Sequence, residues 1–221
     1  MSDSEFTRLK GAARHATSAV TEQVRGVATV PGGKPLPPGA TAPPVQLSPQ
    51  QSGAMFATSF AATMGAPAPA SPAGAPPAVV WRDGEHELLI YPGRARLLLQ
   101  DGFALVGISV YAEQTGAVEI AVPFAVGRPS APTGLMIATE PVPRGPALLA
   151  ERWGDQLIAA AWHALLNLAA GVAAAAGTDT GGAPLIPVSL TADPGGLTVL
   201  PQAAPIAAVP PRKPAGPGAP R

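Results

Sequence analysis

Proton transfer near neutral pH falls first to histidine, and the 221-residue chain has three: His15, His86 and His163. His163 stands four residues before Asn167, a spacing that puts both on one face of a helix, where they could orient the polar head of a ligand. Glu85-His86-Glu87 supplies three residues of metal-ligand type in a row. Alternate residues of a strand point to opposite faces, so a metal there needs distant help, and the triplet reads as a solvated hairpin end. Arg94 and Arg96 share a strand face and could receive an anion, or pair with nearby carboxylates. There is no cysteine, which removes disulfides, thiolate metal sites and Cys nucleophiles. Gly107-Ile108-Ser109-Val110 lacks the second glycine of a nucleophile elbow. Gly32-Gly33-Lys34-Pro35 lacks the spacing of a phosphate-binding loop. The residues therefore assign no catalytic group, no metal and no cofactor.

The elements that would position these groups are separated by proline. Residues 28–77 hold 12 prolines and residues 202–221 hold six more. Such runs favour extended, solvated chain, so both read as tethers. Residues 78–201 have the length and the aliphatic content of one domain. Charge divides at the same boundaries. The domain carries six Arg against eleven Asp and Glu, a net −5, while the flanks carry eight Lys and Arg against three acids, a net +5. With no basic strip interleaved with aromatics, nucleic acid is not an expected partner. Eleven Arg against three Lys, with abundant Ala, Pro and Gly, suggests a high-GC bacterial genome. No apolar run follows Met1, so the expected location is the cytoplasm, peripheral to a membrane at most.

Within the domain, strand and turn signals alternate. Val79–Trp81, Glu87–Tyr91, Ala95–Gln100 and Phe103–Ala112 are separated by Asp83-Gly84, Pro92-Gly93 and Asp101-Gly102. Asp101-Gly102 predicts a type I′ hairpin, with positive φ at both central positions. Val118, Ile120, Val122, Phe124 and Val126 alternate with smaller or polar residues, and Pro123 marks an edge or a bulge. A short strand is expected over Gly134–Thr139. Ala147–Ala176 predicts one long helix, uncharged from Gln156 to Gly177. Its greasy face is Leu157, Ile158, Ala161, Trp162, Leu165, Leu168, Ala169 and Val172. Leu185–Leu190 and Leu197–Leu200, joined by Asp193-Pro194-Gly195-Gly196, form a hairpin. The class is α+β: an antiparallel meander of five or six strands, a long apolar helix packed on it and a C-terminal β-hairpin.

Two flanking segments carry apolar anchors. Residues 4–27 predict an amphipathic arm, capped at Ser4, with Phe6, Leu9, Ala13, Ala16, Val20, Val24 and Val27 on a thin stripe suited to pairing with another helix. Inside the first tether, Ser48-Pro49 has the form of an N-cap followed by N1. It starts a short helix over 47–65 bearing Met55, Phe56, Phe60 and Met64. Such a segment either docks on a partner or folds back onto residues 78–201.

The expectation is a non-enzymatic assembly or adaptor protein. Protein partners would be held through 47–65 and 4–27 by Met55, Phe56, Phe60, Met64, Phe6, Leu9 and Val20, with self-association also admitted. Two other readings stand beside it. One is a pocket for an apolar, lipid-like ligand between sheet and helix, with His163 and Asn167 at its polar end. The other is a membrane-anchored subunit held by 156–177.

Overall fold

The computed structural model describes residues 3–27, 33–66, 77–135 and 138–205, with side chains of the first helix from Ala13 onward. The element order is α1 (Asp3–Val27), β1 (Val45–Leu47), α2 (Pro49–Thr63), β2 (Val79–Asp83), β3 (His86–Ile90), a 3-10 turn (Pro92–Arg94), β4 (Arg96–Gln100), β5 (Phe103–Ala112), β6 (Gly116–Ala125), β7 (Ala138–Thr139), α3 (Ala147–Ala176), β8 (Ile186–Asp193) and β9 (Gly196–Gln202). The fold is α+β, as the sequence predicts. Phe6 and Leu9 lie outside the described side chains. So do residues 28–32, 67–76, most of the C-terminal tail, and Met136-Ile137 of the short strand expected at 134–139.

The larger sheet is antiparallel in the order β2-β3-β5-β6-β7, and β4 pairs with β5 beyond the end of β3. The 3-10 turn thus breaks one long partner of β5 into β3 and β4. The alternation in β6 is as expected: Ile120, Val122, Phe124 and Val126 are buried between partly exposed neighbours. Pro123 faces Leu105 across the ladder, and its carbonyl accepts from Thr139 Oγ1 at 2.6 Å. Among the described residues, β6 is followed by the two residues of β7 and by a bridge in which Arg144 and Ala121 exchange 2.8 Å bonds, so Pro123 lies in an interior strand where the ladder towards β7 is interrupted. Arg144 also donates to Glu140 and holds that carboxyl below the ordinary carboxylate range. The clasp therefore weakens as pH falls through the lowered value.

One turn departs from expectation. The β4–β5 connection has two residues, Asp101 and Gly102, and of these only Gly102 has positive φ, at 76°. It is not type I′. Gly102 is held by two further bonds: its N–H donates to Ala192 of β8, and its carbonyl accepts from Val126. The bond to Ala192, with the Gly127–Thr191 bridge, joins the larger sheet to the smaller one.

The smaller sheet is more than a hairpin. β8 and β9 pair as expected, and β1 adds a third strand, with Val45 opposite Val199 and Leu47 opposite Leu197. The preceding stretch is laced to the same region. Leu36 bonds with Thr178 and Thr180, Ala42 donates to Pro201, and Ala203 donates to Ala40. Residues 33–66, read from their prolines as tether, are thus built into the body. Proline lacks a donor, but the residues between prolines keep theirs and use them here.

The three helices pack on one another. Ser48 caps α2 in a full capping box: its hydroxyl accepts from Gln51 N–H at 3.2 Å, and Gln51 Oε1 accepts from Ser48 N–H at 2.9 Å. α3 spans the predicted residues and packs on β8 and β9. It reaches the larger sheet where Trp153 meets Trp81, ring centroids 6.1 Å apart, and Arg152 bonds Asp83 at 3.1 Å. α1 begins at Asp3, so Ser4 lies inside its first turn rather than capping it. It lies on α2 and α3 with Ala16, Val20 and Val24 buried, while Val27 is exposed. Close approach of α1 depends on Gly171, where a Cβ would stand 2.6 Å from Val20 Cβ; Thr21 Oγ1 donates to the Gly171 carbonyl at 3.2 Å. Gly171→Leu is expected to cost about 1–3 kcal/mol by overpacking. It should lift α1, which limited trypsin digestion would register as faster cleavage after Arg14 and Arg25.

Candidate functional site

The residues expected to meet a partner are placed by these elements mostly in the chain's own core. Met55, Phe56 and Phe60 are fully buried, and Met64 packs partly buried against the same cluster. The Phe56 and Phe60 rings are 5.8 Å apart and close to parallel. Val20 is fully buried as well. Of the two destinations open to 47–65, the structure has the intramolecular one, because α3, β4 and the 3-10 turn supply the groove. Ser59 Oγ completes the seam by donating to the Ala164 carbonyl at 2.7 Å.

His163 and Asn167 do not converge on a shared pocket. His163 is exposed beside Trp162, which the sequence assigns to the greasy face but which is 40% accessible. Asn167 Nδ2 donates to Thr63 Oγ1 at 3.1 Å, which ties α3 to the end of α2. The helix is long and apolar enough to cross a membrane by length and composition, yet 61% of its most apolar window is buried, facing α1, α2 and the smaller sheet.

Polar side chains gather elsewhere, in a cleft of about 480 Å³ between the β2–β3 hairpin, the end of β5 and the first turns of α3. His86, Asp83, Glu87, Gln114, Glu151 and Arg152 line it. Its charges are largely paired: Asp83 with Arg152, and Glu87 with Arg82 at 2.8 Å. Gln114 Nε2 lies 3.2 Å from His86 Nδ1; an amide N–H donated there leaves the ring proton on Nε2. Among the described residues, no three His, Asp or Glu side chains stand close enough to hold a metal. Arg94 and Arg96 part company, Arg94 stacking 5.1 Å from the Tyr91 ring centroid and Arg96 reaching Glu119 at 3.8 Å.

The surface that stands out is the outer face of the larger sheet, turned away from the helices. Cross-strand register places Leu98, Leu105 and Pro123 in one row and Phe103 and Ala125 in the next. At the far end Val80, Leu89, Tyr111 and Ala117 form another row. Leu98 is 59% exposed, Phe103 49%, Val80 46% and Tyr111 41%, so large apolar side chains sit in water as two patches. Between them lie Ser109, Arg96 and Glu119. The Glu119 carboxylate lies flat over β5, at 2.9 Å from where a Gly107 Cβ would be, so the glycine keeps the centre of the face low.

Comparison with known protein families, curated proteins and solved structures gives no match for this chain. The site therefore rests on its own chemistry. The sequence carries a signal for it. Leu97-Leu98-Leu99 and Phe103–Val106 are continuous apolar runs rather than alternating ones, the pattern of strands apolar on both faces. The inner residues Leu97, Ala104 and Val106 meet the core, and the outer residues Leu98 and Phe103 are exposed.

Proposed function

We propose that this chain is a non-enzymatic assembly protein that holds a protein partner on the outer face of its larger sheet. The observation that carries the reading is the two-patch apolar surface of Leu98, Phe103, Val80 and Tyr111 on a face no described element covers. Monomers seldom expose contiguous apolar patches beyond a few hundred Å². Burying one such side chain is worth on the order of 1–2 kcal/mol. Aromatic and aliphatic residues around a small polar centre suit a protein surface better than a nucleic acid or a polar metabolite.

A photo-crosslinking amino acid at position 98, installed in the native host, tests this. Adducts to protein are expected there and not from the exposed helical position of Gln50 on the opposite layer. Equal yields at both positions, or none at position 98, would remove the reading.

A further inference from the structure

We infer that the occupant of this face is a second copy of the same chain, packed sheet to sheet about a two-fold axis along β5. The inference rests on the proposed assembly role and names its partner. Charge favours it: the whole chain is net zero, so two copies carry no net repulsion. The outer face is balanced as well, with Arg82 and Arg96 projecting from it beside Glu87 and Glu119, two charges of each sign. With the axis along β5, β4 of one copy lies over β6 of the other. Each apolar patch then meets its own copy, and Arg96 faces the partner's Glu119.

The in-chain Arg96–Glu119 contact is long at 3.8 Å, and the two side chains remain 70% and 45% exposed, so both are free to cross. Aligned sheets pack about 10 Å apart with strands within about 30° of each other, which this arrangement satisfies. With the axis on β5, β3 and β4 of one copy overlie β6 of the other and β5 overlies β5, so three lanes about 34 Å long and about 14 Å across share on the order of 500 Å². The two copies together bury on the order of 1,000 Å², the area a small specific interface needs.

Sedimentation equilibrium on the full chain decides it. The wild type should be a dimer, and Leu98→Glu a monomer whose circular-dichroism spectrum is unchanged and whose melting temperature no longer depends on concentration. Arg96→Glu and Glu119→Arg alone place like charges across the axis twice, and each should weaken the dimer about tenfold or more. Mixed in equal amounts, they pair Glu with Arg at both crossings, and the dimer should return. An in-chain ion pair does not produce that rescue by mixing. A wild type that stays monomeric at 100-fold above cellular concentration, or a dimer indifferent to all three substitutions, overturns the inference. If position 98 then crosslinks to a different protein, the assembly role survives and only the identity of the partner falls. If it crosslinks within one chain to residues 206–221, both fall.

Discussion

Phe56→Ala is expected to lower the unfolding free energy of the isolated chain by about 3–5 kcal/mol, read as a shifted urea midpoint with an unchanged slope. The side chain is fully buried, and its ring stacks on Phe60 in a groove made by α3, β4 and the 3-10 turn. Truncation leaves a cavity that a helix capped at Ser48 and pinned through Ser59 is poorly able to collapse. Against a typical total of about 5–15 kcal/mol, the loss is a large share of the stability. The result discriminates between the two destinations of the segment. A helix waiting for an external partner leaves the midpoint of the free chain where it was, whereas a core helix moves it.

Gly196→Ala should be still harsher. Gly196 has φ of 143°, a conformation that L side chains rarely adopt. A Cβ there would also run into the Leu47 carbonyl oxygen of the neighbouring strand. Strain of this kind costs about 1–3 kcal/mol by itself. The collision cannot be relieved by a side chain turning aside, because the obstacle is backbone. β1 must leave β9, and the Val45–Val199 and Leu47–Leu197 pairs go with it. Low soluble yield and a melting temperature down by ten degrees or more are expected. Gly53→Ala is the control of opposite sign. It sits inside α2 with open space around it, and the helix gains up to about 1 kcal/mol.

Local rules account for much of this architecture. Ser48-Pro49 starts α2 because its capping chemistry is complete within four residues, and α3 keeps its predicted bounds because Pro146 and Gly177 punctuate both ends. β6 follows from its period-two alternation, and β2 to β5 from the turn residues between them. What the sequence leaves open is set by distance. β1 is three residues among prolines, and nothing near Val45 marks a partner at Val199. Phe56 and Phe60 look the same whether their groove lies in this chain or another. The turn at Asp101-Gly102 is decided by the bonds of Gly102 to Ala192 and Val126, which outweigh the local preference. The exposed face was legible in principle, since Leu98 and Phe103 fall in runs with no polar alternate. A run apolar on both sides reads as fully covered until the covering layer proves to be one-sided.

The pairing of β1 with β9 also sets an order of events. Strands about 150 residues apart in sequence must find each other, and such non-local closure slows folding. While the chain is being synthesised, β1 has no edge to join and α2 has no α3 to rest on. Their apolar surfaces stay uncovered until α3 and β9 have been made. Loss of β9 would undo β1.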